Sequence, residues 1–387
     1  MPPTDRLRRL LLQLVAMFLV ATSVALFVRF RLPNHSVGAQ VGGGDADAAA
    51  AEPVGSLVGA DGGRPLTIVA TGEILPHPSV VEHTRLDGAA TGVAYDFAPM
   101  FADIAPIISA ADLAICHLEV PVAPEGTPLS GYPDFAIPPE VAAGIAATGW
   151  DRCSTVSNHS NDRGAAGRKA TLDALDAAGV GHSGTARAAA EAAEIPLVDV
   201  HGVPVAHLAY TWGFNGSAPK SGWMANVIDP DRILADAAAA RAAGAQVVVV
   251  SLHWGDEYDR EGSDAQRGLA DRLLASPDID LIIGHGPHVL QPIEQFHGKW
   301  ALMSLGNLVA NQGPKRPLTF DSVVASITFH RGADGQWAAD SPIAYPTWYD
   351  AAAGTVRLLP PSPHDDARRV SLERTRAVMG DHLTRSD

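Results

Sequence analysis

Positive charge and cysteine are both scarce in this sequence, and each shortage argues against a class of function. Lys and Arg together number 28 against 43 Asp and Glu, so the formal net charge at pH 7 is −15. Binding to nucleic acid depends on basic patches that neutralise phosphates, and we therefore expect no nucleic-acid partner. The two cysteines, Cys116 and Cys153, form no CxxC pair, so we expect no zinc site built on thiolates.

Cys116 and Cys153 each lie within an apolar run that predicts a strand. Outside the cytoplasm such a pair can be oxidised to a disulfide. Two buried thiols that pack as small hydrophobic side chains are the alternative, and they fit the strands at least as well. The sequence leaves both states open.

The first 32 residues form a separate segment. Leu10–Val28 contains no charged residue, and Arg6, Arg8 and Arg9 precede it. At 1.5 Å per helical residue this run spans roughly 28 Å, close to the ~30 Å of a membrane hydrocarbon core. The apolar core of a cleaved signal peptide is shorter, roughly 7–15 residues. We therefore predict an uncleaved, single-pass signal anchor in residues 1–32, with a cytoplasmic N-terminus and the main domain outside the cell membrane.

Three further segments follow the predicted anchor. Residues 33–63 are rich in Gly, Ala and acidic side chains without apolar periodicity, which predicts a flexible linker. Residues 64–355 alternate apolar runs with helical patterns, typical of an α/β fold with largely parallel strands. From about residue 300 the strands lack intervening helices, which predicts antiparallel edges or a second sheet. Residues 356–387 form a charge-rich tail to which we assign no chemistry.

Polar side chains follow five of the predicted strands at the points where the strands end. They are Glu73, Glu119, Asn158, His159, His253, Glu257, His285 and His288. The carboxyl ends of parallel strands gather on one side of a sheet, so these side chains are expected to converge. Carboxylate, imidazole and amide oxygen together suit divalent Mn, Fe or Zn. Singly, each has a structural explanation, such as a capping carboxylate or a packed core histidine; their shared position favours a metal site.

Four motifs resemble the CapA family, which is associated with poly-γ-glutamate capsule synthesis and groups with the calcineurin-like metallophosphoesterases. They are SNHSNDRG (157–164), HWGDEY (253–258), GHGPHVLQPIE (284–294) and SLGN (304–307). The resemblance extends from Leu66 to Phe329. It implies an α/β fold of the metallophosphoesterase type, a four-layer αββα sandwich.

The resemblance also implies a role for each matching residue. The metal ligands are Glu73, Glu119, Asn158, His253 and His288, the catalytic residues are His159 and His285, and the supporting residues are Asp162, Glu257 and Asn307. Three positions depart from the family pattern, and one of them is Ser157, which stands where the family has an Asn. Glu73 replaces an Asp, so one metal position depends on whether the longer side chain reaches it. His117 replaces an Asn and is either an extra ligand or a packed residue.

Two functions follow from these expectations. The first is a metal-dependent hydrolase at the outer face of the membrane, acting on a phosphate ester or on a γ-glutamyl amide of an envelope polymer. The alternative is a non-catalytic component that binds, exports or tethers an anionic polymer and keeps a degenerate metal site. Other capsule-synthesis proteins are candidate partners. In so acidic a chain, an anionic substrate has to be held by a local positive centre such as a metal ion.

Overall fold

The computed structural model describes residues 63–384. The predicted signal anchor, residues 1–32, and the predicted linker up to residue 62 lie outside this range. None of the helices between residues 63 and 384 combines the length and the apolar composition that a membrane span requires. The single-pass anchor therefore stays a prediction from the sequence.

The apolar runs form fifteen strands within the described residues. In chain order they are β1 (Leu66–Ile74), β2 (Leu113–Leu118), β3 (Arg152–Ser154), β4 (Gly181–Ser183), β5 (Leu197–Val200), β6 (Val203–Thr211), β7 (Val247–His253), β8 (Leu281–His285), β9 (Leu290–Phe296), β10 (Lys299–Leu305), β11 (Asn307–Val309), β12 (Asp321–Arg331), β13 (Trp337–Ala339), β14 (Ile343–Asp350) and β15 (Thr355–Leu358).

Eight α-helices lie between or after these strands in the same range. They are α1 (Pro78–Thr91), α2 (Ala105–Ser109), α3 (Glu140–Thr148), α4 (Gly164–Ala177), α5 (Ala189–Ala192), α6 (Pro230–Ala242), α7 (Asp264–Leu274) and α8 (Asp366–Met379). Local chemistry sets several of their starts. Asp229 accepts hydrogen bonds from the first backbone amides of α6, and Ser263 forms a capping box with Gln266 at the start of α7.

Both sheets have parallel centres and antiparallel edges. The first has the order β15-β14-β12-β1-β2-β3-β4, with β11 also paired to β1 and β13 to β12. Strands β1 to β4 run parallel, whereas β12, β14 and β15 are antiparallel. The second has the order β5-β6-β7-β8-β10-β9, in which only the edge strands β5 and β9 are antiparallel to their neighbours. The predicted change to antiparallel pairing in the later part of the domain is confirmed.

The two sheets pack face to face, and helices cover their outer faces. Ile68 and Ile115 of the first sheet share one buried cluster with Val249 and Ile283 of the second. A second cluster joins the outer face of the first sheet to helices α1 to α4. A third joins α6 and α7 to the outer face of the second sheet. The predicted four-layer αββα sandwich is therefore confirmed.

The segment 97–111 differs from the single helix expected there. It contains a 3₁₀ turn at Pro99–Phe101 and the short helix α2, which has a proline in its first turn. Pro106 has no backbone N–H and restricts the residue before it, so a helix coming from Pro99 cannot continue through it. Helix α1 was not expected, although a proline in its first turn and the left-handed Gly92 at its end are ordinary boundary residues.

The described part of the predicted C-terminal tail belongs to the sandwich. The boundary expected after residue 355 falls inside β15. Leu372 and Met379 of α8 lie in the buried cluster between the sheets. The Ser371 hydroxyl donates to Asp321 Oδ1 at 2.6 Å. Few apolar residues in this helix are buried, so its sequence pattern is weak and its position depends on tertiary contacts.

Replacing Ser371 with alanine should lower the free energy of unfolding by about 2 kcal/mol, because the Asp321 carboxylate is buried and loses a charge-assisted hydrogen bond. Chemical denaturation measures the difference. Val370→Ala is the matched control on the same helix, since Val370 is 39% exposed, and it should change stability by less than about 0.5 kcal/mol. Equal effects of the two substitutions would contradict the prediction.

The two cysteines face each other on neighbouring strands. Cys116 of β2 and Cys153 of β3 are in parallel register, and the structure joins them in a disulfide with a Cα–Cα distance of 4.4 Å. Of the two states left open by the sequence, the structure has the disulfide. The sequence could not decide between them because the pairing of β2 with β3 is a tertiary contact.

Candidate metal centre

The candidate site lies where strands of both sheets end together. Glu73 of β1 is paired in register with His117 of β2, and His253 of β7 is paired with His285 of β8. Glu119 follows β2 directly, and His288 follows β8 after Gly286 and Pro287. The convergence expected from the strand ends is therefore present, and it spans both sheets.

Three residues bring possible ligand atoms within 4.8 Å of one another: Glu73, Glu119 and His288. All three are buried. His288 Nδ1 lies 2.5 Å from Glu73 Oε2 and 3.9 Å from Glu119 Oε2. The backbone N–H of Gly286 donates to the other oxygen of Glu73. Glu73 thus reaches the cluster, although it replaces the shorter Asp of the family pattern.

Backbone geometry explains how Glu73 and His288 meet. A Cβ atom at Gly72 would lie 2.1 Å from the carbonyl oxygen of Gly306, so only glycine permits this approach of β1 to the segment before β11. His288 has a φ of 61°, in the left-handed region that non-glycine residues seldom occupy. Such strain is held by surrounding contacts, here by Glu73 and by Asn307 Oδ1, which lies 3.1 Å from His288 Nδ1. Asn307 is held in turn, because its side-chain amide donates to the Thr319 carbonyl at 3.2 Å.

A second group consists of three buried imidazoles. His117 Nε2 lies 3.1 Å from His253 Nδ1, and the rings of His117 and His285 stack with centroids 4.2 Å apart. Burial lowers the pKa of each of these histidines well below its usual range, and neighbouring imidazoles lower it further. They are therefore neutral, which is the protonation state that can ligate a metal.

The electrostatics of the carboxylates differ. Burial opposes the charge on Glu73, but His288 outweighs it, so the pKa of Glu73 is lowered. Burial raises the pKa of Glu119 well above its usual range, and the nearby Glu73 adds to the shift despite the opposing His288. Burial alone would lower the pKa of His288, yet Glu73 and Glu119 raise it to about 10. A second negative charge here needs compensation by a further cation.

The donor set fits a divalent cation. Several buried polar atoms have no hydrogen-bond partner among residues 63–384: both carboxylate oxygens of Glu119, Oδ1 of Asn158, Nδ1 of His117, and both ring nitrogens of His285. Buried polar atoms are nearly always paired in folded proteins, so such a concentration at one place needs an explanation. Oxygen and imidazole nitrogen are the ligands of borderline and hard divalent ions.

His159 lies beside this cluster and is held by Asp162. His159 Nδ1 and Asp162 Oδ2 are 2.8 Å apart, and the backbone N–H of Phe135 also donates to Asp162 Oδ2 at 2.8 Å. On the other side of the ring, Asn215 Nδ2 lies 3.2 Å from His159 Nε2. Asn215 was not expected from the sequence, although it follows the end of β6 as the other site residues follow their strands.

A cleft of about 780 Å³ opens beside the cluster. Its walls include His159, His288, Glu257, Tyr258 and Arg316. Glu257 is exposed there and does not approach the buried ligand atoms as closely as Glu73 and Glu119 do. The residues that line this cleft do not include His285, whose side chain is stacked on His117. Sequence reasoning also missed Arg316, which follows no predicted strand.

A family described as bacterial capsule synthesis protein PGA_cap matches residues 67–312. PGA biosynthesis protein CapA of Bacillus subtilis (strain 168) is 35% identical over 191 residues, 48% of each protein. Capsule biosynthesis protein CapA of Bacillus anthracis is 32% identical over 201 residues, 51% of this chain and 48% of that protein. The chain spans about half the length of the curated relatives it matches.

Among solved structures, the chain is similar to the calcineurin-like phosphoesterase YfkN of Bacillus subtilis. The match covers 81% of this chain and 97% of the YfkN chain, with 13% identity and a TM-score of 0.42. Likeness at that level carries no inference about chemistry. The family match is of a different kind, because it runs through both sheets and includes the strand ends from Glu73 to Asn307. The chain belongs to the bacterial capsule synthesis family.

Proposed function

We propose that this protein is an anchored envelope component of capsule or poly-γ-glutamate biosynthesis whose strand-end cluster is a metal-dependent hydrolytic site. The observation that carries the proposal is the set of buried ligand atoms on Glu119, Asn158 and His285 that have no hydrogen-bond partner among residues 63–384. An open cleft, which His288 of the same cluster lines, gives a substrate room beside them. Its substrate is a phosphate ester or a γ-glutamyl amide of an envelope polymer. The metal is Mn, Fe or Zn.

The cluster offers two adjoining sets of ligands. Glu73, Glu119 and His288 form one set, with ligand atoms already close together, and His288 would have to release a proton to ligate. Asn158, His253 and His285 would form the other. A bound divalent ion supplies Lewis acidity and neutralises charge that develops at the reacting centre. Asn307 orients His288 by contact with Nδ1, as supporting residues of metal sites commonly do.

His159 is the residue we assign to proton transfer. Its Nδ1 is held by Asp162, which leaves Nε2 on the side of Asn215, and both His159 and Asn215 line the cleft. A carboxylate at Nδ1 fixes the ring orientation and the tautomer. Nε2 is therefore the atom that would hold a proton for the leaving group.

His285 was expected to share the catalytic role, and its environment favours a different one. His285 is buried and its ring is stacked on His117, and it does not line the cleft as His159 does. Both ring nitrogens lack a hydrogen-bond partner within residues 63–384. We assign His285 to ligation because of this burial, which the motif alone does not report.

A location outside the cytoplasm is part of the proposal. The predicted anchor lies in residues 1–32, before the described range. The Cys116–Cys153 disulfide supports this location, because structural disulfides persist mainly in oxidising compartments. The anionic polymer and other capsule-synthesis proteins are the proposed partners.

One observation favours the non-catalytic alternative, a component that binds or tethers the polymer. Both oxygens of Glu73 already have partners. Oε1 accepts a hydrogen bond from the Gly286 amide, and Oε2 contacts Nδ1 of His288. A cluster whose charges satisfy one another can be a purely structural element.

Metal analysis and a hydrolysis assay on the purified chain distinguish the two functions. The hydrolase should retain stoichiometric divalent metal through dialysis and should hydrolyse an aryl phosphate or γ-linked oligoglutamate when supplied with Mn, Zn or Fe. Chelation should abolish turnover, and restoring the metal should recover it. Retained metal with polymer binding but no turnover on any of these substrates would support the alternative, and absence of bound metal would contradict the proposed site.

A further inference from the structure

Arg316 differs from the other arginines of residues 63–384 in having no acceptor for its guanidinium. Each of the others donates a hydrogen bond or forms an ion pair with a carboxylate. Within the same range, the contact of the Arg316 side chain is with the Tyr258 ring. In a chain with 43 acidic residues and 28 basic ones, an unpaired arginine is an exception.

The contact with Tyr258 holds the guanidinium in place. Arg316 Cζ lies 3.7 Å from the centroid of the Tyr258 ring. A guanidinium stacked on an aromatic ring gains cation–π attraction and keeps its N–H donors, which lie in the guanidinium plane, free for an anion. Tyr258 is itself fixed, with its backbone N–H donating to the Pro287 carbonyl at 2.7 Å.

The backbone of Arg316 is also constrained. Its N–H donates to the Gly313 carbonyl at 3.1 Å, and its own carbonyl accepts from the Thr319 hydroxyl at 2.8 Å. The 3₁₀ turn Pro317–Phe320 begins at the next residue. Because both the backbone and the side chain are held, little conformational freedom remains for an incoming anion to remove.

The position of Arg316 relates it to the buried cluster. Arg316, Tyr258 and His288 all line the cleft of about 780 Å³. The ring centroids of Tyr258 and His288 are 6.0 Å apart. The Tyr258 ring is therefore near both the Arg316 guanidinium and a residue of the buried cluster. Of the residues that line this cleft, Arg316 is the one lysine or arginine. Asp134 and Glu257 also line it, and they would repel an anion everywhere except beside a fixed cation.

We propose that Arg316, stacked on Tyr258, is the specificity-determining residue that binds a second anionic group of the substrate, one unit away from the group that reacts at the buried cluster. The ligand is therefore an oligomer with repeated carboxylates or phosphodiesters, and not a small monoester. The inference deepens the proposed function, since it takes the cleft as the substrate site. Residue 316 lies just beyond the matched family segment, which ends at residue 312.

Calorimetric titration of the Mn²⁺-loaded full chain tests the assignment with three probes. They are γ-linked tetraglutamate, the same oligomer with its α-carboxylates amidated, and a tetrameric glycerol phosphodiester. The wild-type chain should bind one of the anionic oligomers more tightly than the neutral one, and the preferred oligomer identifies the source of the anion. Arg316→Gln should weaken that binding about tenfold or more, as loss of a charge-assisted hydrogen bond does, and leave the neutral probe unchanged.

Two matched variants separate recognition from general electrostatics. Lys315→Gln removes the same charge one residue away, at an exposed position outside the cleft lining, and should change affinity by less than about twofold. Arg316→Lys should lie between wild type and Arg316→Gln, because it keeps the charge and loses the planar fork. Equal losses for Lys315→Gln and Arg316→Gln, no loss for Arg316→Gln, or no binding of either anionic oligomer by wild type would each overturn the assignment.

The failure of this inference can be told apart from failure of the proposed function. Metal content and turnover of a small aryl phosphate report on the buried cluster, and they should be the same in the wild-type chain and in Lys315→Gln, whose substitution lies outside the cleft lining. If oligomer binding depends on Arg316 but the chain shows no turnover, the assignment of Arg316 is supported and the proposed hydrolytic function is contradicted. If the chain shows turnover but oligomer binding is the same in wild type and Arg316→Gln, the hydrolytic function is supported and the assignment of Arg316 is contradicted.

Discussion

Glu119→Gln is expected to abolish metal-dependent turnover and, at the same time, to make the metal-free protein more stable. Both oxygens of Glu119 are buried without a hydrogen-bond partner in the described range, and burial raises the pKa of this carboxyl well above its usual range. An unpaired buried carboxylate destabilises the folded state unless a cation compensates it. Glutamine has nearly the same shape and no charge, so it removes that penalty and the ligand together.

The magnitudes follow from linkage. A metal present at 100 times its dissociation constant stabilises the wild-type fold by about 2.7 kcal/mol. Glu119→Gln should lose most of this stabilisation, and loss of a ligand should reduce turnover by at least about two orders of magnitude. Thermal unfolding with and without Mn²⁺, together with metal analysis, measures both effects. The expected pattern is a higher melting temperature than wild type without metal and a lower one with it.

Glu125→Gln is the matched control, because Glu125 is exposed and belongs neither to the ligand cluster nor to the cleft lining. It should match wild type with and without metal. Glu119 is a structural residue and not a ligand if Glu119→Gln destabilises the metal-free chain, or if it binds and responds to Mn²⁺ as wild type does.

Gly284→Ala should be the most damaging small substitution in the motif that carries His285 and His288. A Cβ atom at this position would lie 2.0 Å from the Met303 carbonyl oxygen and 2.6 Å from that of Leu302. Both neighbours are backbone atoms of β10, which pairs with β8, so no side chain can move aside. The strands must separate, and overpacking of a core costs about 3 kcal/mol or more when backbone has to shift.

Gly268→Ala provides the opposite case. Gly268 lies within helix α7, and nothing lies within 4 Å of an added Cβ atom. Alanine there should raise the free energy of unfolding by up to about 1 kcal/mol, through helix propensity. Denaturant titration should show a lower free energy of unfolding for Gly284→Ala than for wild type, and a higher one for Gly268→Ala. Similar stabilities of the two variants would show that β8 and β10 can separate at little cost, which would contradict the prediction.

The strand ends show how far sequence reasoning reached. Glu73, Glu119, His253 and His288 were singled out because each follows an apolar run, and in a parallel sheet such ends gather on one side. The structure brings them together for that reason. Asn215 was missed because it lies several residues beyond the end of β6, and Arg316 was missed because it follows no predicted strand. The approach of both to the cleft depends on how loops fold over the sheets.

Glu73 and His285 show the limit within a recognised motif. The motif spacing placed both residues at the site, but it did not show how far each side chain reaches or how deeply it is buried. Whether the longer Glu73 reached the cluster depended on the close approach of β1 to Gly306, which glycine at residue 72 permits. Whether His285 faced the cleft depended on stacking against His117, a residue of the other sheet.

The sequence by itself determined the alternation of strands and helices, the parallel centres of the sheets and the chemical types of the site residues. These features are local, since apolar periodicity and boundary residues act over a few positions along the chain. Only the tertiary structure decided the Cys116–Cys153 disulfide, the packing of helix α8 between the sheets and the unpaired Arg316 at the cleft. Each of these depends on contacts between segments far apart in sequence, whose free energies come from burial and pairing that exist only once the two sheets have packed.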